Sequence, residues 1–186
     1  MTLFEYLAIA FSLVFSFTAM RLLAGLPSAA QPGRRYWVHL TFTCTHLALT
    51  IAVFWSFWSF RDATWSLPRF VLVLANPGLI YFNACALIPE NASSVDSWRD
   101  YYFSVRRRFF VVAICWAAVA AGSTTVLLEL PLFHPQRAGE AAVLLVGFVG
   151  AMSASERVHS GLALCIIAFG PVIAFTVFAP PGSVAP

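Results

Sequence analysis

The chain has 186 residues, of which 60% are hydrophobic and only 10% are charged, and its mean hydropathy is +0.81. A water-soluble domain is about half apolar and about a quarter charged, so this composition argues against a soluble globular protein. The net charge of +3 comes with 11 arginines and no lysine. That charge is too small for a groove-sized basic surface, so nucleic acid is not an expected partner.

Six long apolar stretches predict an all-α fold, a polytopic transmembrane helix bundle that forms one domain over residues 1–186. A helix of about 20 apolar residues satisfies its own backbone hydrogen bonds across about 30 Å of hydrocarbon. Because proline cannot continue a helix, Pro27, Pro89 and Pro131 are expected to end three of the spans, and the Pro180-Pro181-Gly182 tail follows the last. The expected spans are residues 3–26, 36–60, 70–88, 109–130, 136–155 and 160–178.

The fifth span is the weakest of the six. Its uncharged run covers only residues 141–155, which is short enough for a re-entrant segment. It crosses the membrane if Arg137 and Glu140 reach the interface with their charged ends.

The distribution of arginine predicts the orientation. Positively charged residues in short loops favour the cytoplasmic side. Seven arginines follow spans one, three and five, three lie on the other side, and Arg21 near the end of the first span agrees with the majority. Both termini are therefore expected to be periplasmic.

The second span carries a polar stripe at helical spacing: His39, Thr43, His46 and Thr50. One interpretation is that the stripe hydrogen-bonds to neighbouring helices and holds the bundle together. The other is a hydrated path, because a histidine inside a membrane can carry a proton. In either case we expect His46 to face Asn76 or Asn83 of the third span.

Helix breaks at Asn76-Pro77-Gly78 and at Gly170-Pro171 lie near the middle of the third and sixth spans. Paired breaks of this kind occur at the binding sites of transporters built from two halves. Ordinary proline kinks are the competing interpretation. Glu5 and Glu129, near the outer ends of their spans, either reach outward to arginines or form an acidic entrance to a polar path.

The loop before the fourth span, residues 93–108, has the pattern of a short interfacial helix on the cytoplasmic face. Its apolar face would carry aromatic residues, and its arginines would bind anionic lipid headgroups. The expected lipid contacts are Trp98, Arg99, Arg106, Arg107 and Arg108.

No motif for a metal site or for catalysis is present. The four cysteines lie singly in four spans, without a CxxC pair, and are expected to be small buried packing residues. Haem held by two histidines is a remote alternative, because His39 and His46 lie on one helix and a partner such as His159 would have to come from another. No cofactor is predicted, and an enzyme is the least favoured class.

The strings RRYWVHL, WSFWSFRDATW and RDYYFSVRRRFF resemble those of multipass bacterial inner-membrane proteins of uncharacterised activity. The resemblance implies a bacterial plasma membrane and supplies no catalytic residues. The leading hypothesis is a small transport- or channel-type bundle with a polar internal path. The alternative is an accessory protein that binds a second copy or another membrane protein.

Overall fold

The computed structural model describes the backbone of residues 3–178 and the side chains of residues 3–173. All regular structure in this part of the chain is helical, which confirms the all-α prediction. The six α-helices are α1 (Leu3–Ala29), α2 (Trp37–Ser56), α3 (Leu67–Leu87), α4 (Trp98–Leu128), α5 (Pro135–Met152) and α6 (Glu156–Phe178). The tail at residues 180–182 lies outside the described residues.

Five of these helices are long and apolar enough to cross a membrane: α1, α3, α4, α6, and α2 with the 3-10 turn that follows it. Composition therefore supports a membrane protein. The remaining helix, α5, has 18 residues, which include Arg137 and Glu140.

Neighbouring helices form a ring in the order α1, α3, α4, α5, α6, α2, and α2 also contacts α3 and α4. Three connections meet at one end, which we call the arginine-rich end: residues 30–36, 88–97 and 153–155. There Arg34 donates to the Val95 carbonyl oxygen at 2.9 Å, and Arg99 pairs with Glu156 at 2.8 Å. The remaining connections lie at the opposite end.

The helix α4 differs from the prediction, since the expected short helix over residues 93–108 and the fourth span form one helix that begins at Trp98. The Ser97 side chain caps it by accepting a hydrogen bond from the Asp100 backbone nitrogen at 3.3 Å. Nothing in the sequence from there to residue 109 breaks a helix, so it continues for 31 residues, roughly 46 Å. It ends at Glu129, whose φ of 52° is left-handed.

Not every helix ends at the proline that was predicted to end it. Pro89 follows α3, as predicted, but α1 continues past Pro27 to Ala29. A proline in the last turn removes only one backbone hydrogen bond, and the Ala30 nitrogen still donates to the Leu26 oxygen at 2.9 Å.

Two glycines allow α5 to lie close against α4. A Cβ atom added at Gly150 would lie 2.5 Å from the Phe110 ring, and one at Gly147 would lie 2.6 Å from the Ile114 side chain. Real side chains do not approach so closely, so both positions require glycine at this separation of the helices.

We predict that Gly150→Ala destabilises the bundle, because the new methyl group must displace the buried Phe110 ring. Overpacking of this kind costs about 1–3 kcal/mol. Thermal unfolding in detergent measures it. Gly122→Ala in α4 is the matched control, since nothing lies within 4 Å of its added Cβ. Equal melting temperatures for the two variants would contradict the close packing.

Candidate functional site

The C-terminal end of α3 is held by side chains from three other helices. The last carbonyl groups of a helix have no partners within that helix. Here donors from α1, α2 and α4 supply them, and the positive charge of Arg21 also suits the negative end of the helix dipole. The bonds run from Arg21 Nε to the Ile88 oxygen (3.0 Å), from His39 Nε2 to the Leu87 oxygen (3.0 Å) and from the Tyr101 hydroxyl to the Ala86 oxygen (2.9 Å).

Aromatic side chains enclose this junction. The His39 ring lies 4.7 Å from that of Trp98, and the Trp98 indole donates to the Ser28 carbonyl oxygen at 3.0 Å. Trp98 is fully buried, so its assignment as a lipid-binding residue was wrong. We expected Trp98 in the headgroup region because residues 93–108 were interpreted as a separate interfacial helix.

The hydrogen bonds determine the histidine tautomers. A carbonyl oxygen only accepts, so His39 Nε2, His46 Nε2 and His159 Nε2 carry the hydrogens that reach the oxygens of Leu87, Ile80 and Ser153. His159 Nδ1 then accepts from the Tyr102 hydroxyl at 2.8 Å. Ligation of haem iron through Nε2 of any of these rings would require breaking its bond to a carbonyl group.

The polar stripe of α2 is buried, and it faces α3 through its histidines. His46 Nε2 lies 2.9 Å from the Ile80 oxygen, between Asn76 and Asn83 in sequence, so the main chain of α3 takes the place of the expected amide partner. Thr43 and Thr50 donate to carbonyl oxygens of their own helix, those of His39 and His46. The histidine bonds to α3, unlike the threonine bonds within α2, fit the interpretation of the stripe as a joint between helices.

Asn76 repairs the break that Pro77 makes. Proline has no N–H to give the carbonyl group four residues earlier, that of Val73. Asn76 Nδ2 donates to this oxygen at 3.2 Å, and it also lies 2.9 Å from Ser123 Oγ of α4. Asn83 is buried too, and its Oδ1 has no hydrogen-bond partner among the described residues.

A cavity of about 140 Å³ lies between the helices towards the opposite end of the bundle, and we call it the six-helix cavity because every α-helix contributes to its wall. Most of the wall is apolar and aromatic. The aromatic residues are Phe11, Phe15, Phe57, Phe60 and Trp116. Asn76 and Pro77 also line it, so the break in α3 belongs to its surface.

One side of the cavity is polar and is formed by α4 and α5. Glu140 pairs with Arg137 at 2.8 Å, and their side chains are only 10% and 15% exposed. Arg137 also donates to Thr124 Oγ1 (2.9 Å) and to the Leu130 oxygen (3.1 Å), which ties the start of α5 to the end of α4. Arg137 was expected to reach towards the interface, but these bonds direct it to α4.

Two polar atoms on residues that line the cavity lack partners among the described residues. They are the acceptor Gln136 Oε1 and the donor Trp116 Nε1. Leaving such a group unpaired inside a protein costs about 1–3 kcal/mol. Both atoms are buried, and neither is used by the fold among the described residues.

The other predicted site residues lie away from the cavity. Glu5 and Glu129 are exposed at helix ends and are absent from its wall, as are Gly78, Gly170 and Pro171. Helices α3 and α6 continue through their prolines.

The predicted lipid-binding arginines separate into two groups. Arg106 Nε donates to the Ser153 carbonyl oxygen at 3.0 Å, and Arg99 pairs with Glu156, so both tie helices together. Arg107 and Arg108 are exposed. Only the second pair presents its charge mainly to the surroundings.

The cysteines and Tyr36 add no reactive group to the site. Cys44, Cys115 and Cys165 are exposed and Cys85 is half-buried, so the expectation that all four are buried was wrong. Within the described residues no cluster of three His, Cys, Asp or Glu side chains could hold a metal ion.

Burial raises the pKa of Tyr36 to about 12, and the charge of Glu156 acts in the same direction, so this phenol is neutral at physiological pH.

Comparison of the chain with protein-family models, with curated proteins and with solved structures found no match.

We predict that His39→Phe destabilises the protein by about 1–3 kcal/mol, because the Leu87 carbonyl group loses its donor while the ring next to Trp98 is retained. Chemical unfolding in detergent measures the change. Thr41→Val is the control, since the Thr41 hydroxyl donates only within α2. If the two variants were equally stable, the end of α3 would not depend on His39.

Proposed function

We propose that the protein is a six-span protein of the bacterial plasma membrane with both termini in the periplasm. Five helices have the length and composition of spans. The orientation rests on the seven arginines that follow spans one, three and five, in or near the connections at the arginine-rich end, against three near the opposite end.

The packing of α5 against α4 supports a sixth span. Near one end of α5, Ser153 accepts from Arg106, and near the other, Arg137 donates to Thr124. Arg106 and Thr124 are 18 positions apart on α4, so they are separated by roughly 27 Å along the helix, close to the hydrocarbon thickness of about 30 Å. If α4 crosses the membrane, α5 therefore crosses beside it, with its two charges neutralised as a pair.

Reporter fusions test this topology. We predict that a periplasm-active reporter works after Phe178 and in the 129–134 connection, and that a cytoplasm-active reporter works in the 153–155 connection. A cytoplasmic signal after Phe178 would refute the sixth span and the placement of that terminus.

In the same topology the arginine-rich end faces anionic lipid on the cytoplasmic side. We predict that the double variant Arg107→Gln, Arg108→Gln weakens enrichment of anionic lipid around the protein and leaves its melting temperature nearly unchanged, since both side chains are exposed. Arg106→Gln should instead lower the melting temperature, because Arg106 holds the Ser153 carbonyl group. Native mass spectrometry of bound lipid measures the first effect. Unchanged lipid enrichment in the double variant would contradict the proposal.

We further propose that the protein is a non-catalytic, transport-type bundle whose binding compartment is the six-helix cavity. The observation that carries this proposal is the composition of the wall, in which aromatic side chains from several helices face a small polar side next to the break in α3. Ligand sites in helix bundles have this character, with many apolar contacts and few polar groups. His39 and His46 act here as joints and not as a proton path.

Flux through proteoliposomes tests the function, using a panel of small solutes and comparing each with protein-free liposomes. We predict that Ala120→Leu lowers the flux by about tenfold, because the added carbons occupy the cavity. Ala118→Leu is the matched control, since Ala118 is exposed on the same helix. A folded Ala120→Leu variant with full flux would exclude the cavity as the route.

The second candidate is an accessory protein that binds another membrane protein or a second copy. It is favoured by the exposed indoles of Trp55 and Trp58, which are 53% and 52% accessible near the opposite end. Arg61 lies 5.5 Å from the Trp58 ring, a pairing that also suits anchoring at the membrane interface. Absence of flux for every solute in the panel would favour this candidate.

A further inference from the structure

We infer that Arg21 binds the phosphate group of one anionic phospholipid at the cytoplasmic boundary of the membrane, with the charge of Arg108 beside it. The inference gives the lipid contact of the proposed function a specific site, and it rests on the proposed topology. Three features support it: the unused hydrogen-bond donors of Arg21, the position of Arg108, and the exposed apolar surface next to both.

The fold uses only one edge of the Arg21 guanidinium group. Its Nε donates to the Ile88 carbonyl oxygen at 3.0 Å, and neither of its terminal nitrogens has a hydrogen-bond partner among the described residues. These two nitrogens form the edge through which an arginine binds a phosphate group with two parallel hydrogen bonds. The side chain is half-buried and held by Ile88, so it loses little conformational freedom when a ligand binds.

Arg108 lies on the same side of the bundle. The Tyr101 hydroxyl donates to the Ala86 oxygen at 2.9 Å, and this oxygen belongs to the same helix end as the one that Arg21 holds. Arg108 follows Tyr101 by seven residues, so the two share a face of α4, and helical side chains lean towards the N-terminus of their helix. The charges of Arg21 and Arg108 both act on the Tyr101 phenol. Arg108 therefore adds a positive potential where Arg21 offers its donors.

A nearby acidic side chain leaves positive charge in excess. Glu90, in the connection after α3, acts on the Tyr81 phenol together with Arg21. It is exposed, and it forms no ion pair with Arg21 or Arg108 among the described residues. Two positive charges against one negative charge leave one positive charge, which suits a phosphodiester group. A headgroup that also carries an ammonium group would restore the repulsion, so an anionic phospholipid is favoured.

The level of the site in the membrane selects a lipid over a free phosphate ion. Arg21 lies 18 positions after Leu3, roughly 27 Å along α1, so it reaches the inner boundary of about 30 Å of hydrocarbon when α1 begins at the outer one. One turn deeper than the arginines, Phe17 and Val111 are 59% and 45% exposed. A phospholipid carries its phosphate group directly above its acyl chains, so one molecule contacts both the charged and the apolar part of this surface.

Native mass spectrometry tests the inference on the full chain in detergent, by titration with lipids of equal acyl chains. The measured quantity is the dissociation constant of the first bound lipid. We expect one phosphatidylglycerol to bind saturably, phosphatidylcholine to bind about fivefold more weakly, and diacylglycerol, which has no phosphate group, at least about tenfold more weakly. Inorganic phosphate added as a competitor should not displace phosphatidylglycerol, because it lacks acyl chains.

Two pairs of variants locate the phosphate group. Arg21→Gln should weaken phosphatidylglycerol at least about tenfold, and Tyr101→Phe is its control, because it removes a donor from the same end of α3 and leaves both arginines in place. Arg108→Gln should weaken it about fivefold. Its control is Arg157→Gln, which removes an exposed charge from α6 at the same end of the bundle and should change the binding by less than about twofold.

Thermal unfolding identifies variants that have not folded. If Arg21→Gln is among them, Arg21→Lys replaces it, since lysine keeps a charge for the Ile88 oxygen but lacks the edge with two nitrogens, and it should weaken the binding as well. The exposed Arg108 provides a second variant that does not depend on the end of α3.

The inference is overturned if no lipid binds saturably, if phosphatidylcholine or diacylglycerol binds as tightly as phosphatidylglycerol, or if inorganic phosphate displaces the lipid. It is also overturned if a folded Arg21 variant loses no more affinity than Tyr101→Phe, or if Arg108→Gln and Arg157→Gln have equal effects.

These results are separate from the topology experiment. A lipid site that depends on Arg21, together with reporters that place the 153–155 connection in the periplasm, would contradict the proposed orientation alone. Reporters that agree with the proposed topology, without a saturable site that depends on Arg21, would contradict this inference alone.

Discussion

The carbonyl groups at the C-terminal end of α3, which have no partners within that helix, impose the strongest constraint on this bundle. A carbonyl group without a partner in an apolar environment costs several kcal/mol, far more than one packing contact contributes. The chain meets this cost with Arg21, His39 and Tyr101, one donor from each neighbouring helix. Satisfying one helix end therefore also sets the positions of α1, α2 and α4 around it.

The same principle operates along the rest of α3 and at the end of α4. Asn76 supplies the donor that Pro77 lacks, His46 donates to the Ile80 carbonyl group, and Arg137 donates to that of Leu130. Most of the strongly polar side chains inside the bundle are thus used to complete backbone hydrogen bonding. We place the proposed binding compartment in the six-helix cavity because its wall combines aromatic side chains with the Glu140 side of α5.

Composition and periodicity predicted the helical class, the six helices and the buried face of α2, because each depends on local sequence alone. They failed where the outcome depends on tertiary contacts. From the sequence we expected His46 to face an asparagine, but its partner is the backbone oxygen of Ile80. Every residue has such an oxygen, so the sequence does not show which one a side chain will contact. Trp98 was assigned to lipid because its aromatic neighbours suggested an interfacial helix, whereas a continuous α4 buries it against Ser28.

The cavity could not be predicted, since its wall combines residues as distant in sequence as Phe11 and Ile173. Of the predicted site residues only Asn76 and Pro77 reach it. The Asn-Pro-Gly sequence at residues 76–78 therefore indicated part of the cavity wall correctly. The similar Gly170-Pro171 sequence in α6 did not, because neither residue lines the cavity. In the sequence, Gln136 looks like an ordinary interfacial residue and Trp116 like an ordinary packing residue. Neither could therefore be predicted to line the cavity.

The tautomer of His39 tests the central claim most directly, because it reports the bond to α3 without altering the protein. Nitrogen-15 NMR of selectively labelled histidine, assigned by comparison with His39→Phe, distinguishes the two neutral tautomers and the charged ring at neutral pH. A neutral ring with hydrogen on Nε2 and none on Nδ1 is the predicted result, since Nε2 must donate to the Leu87 oxygen. A neutral ring with its hydrogen on Nδ1 and none on Nε2 would contradict the account, because Nε2 could then not donate to a carbonyl oxygen.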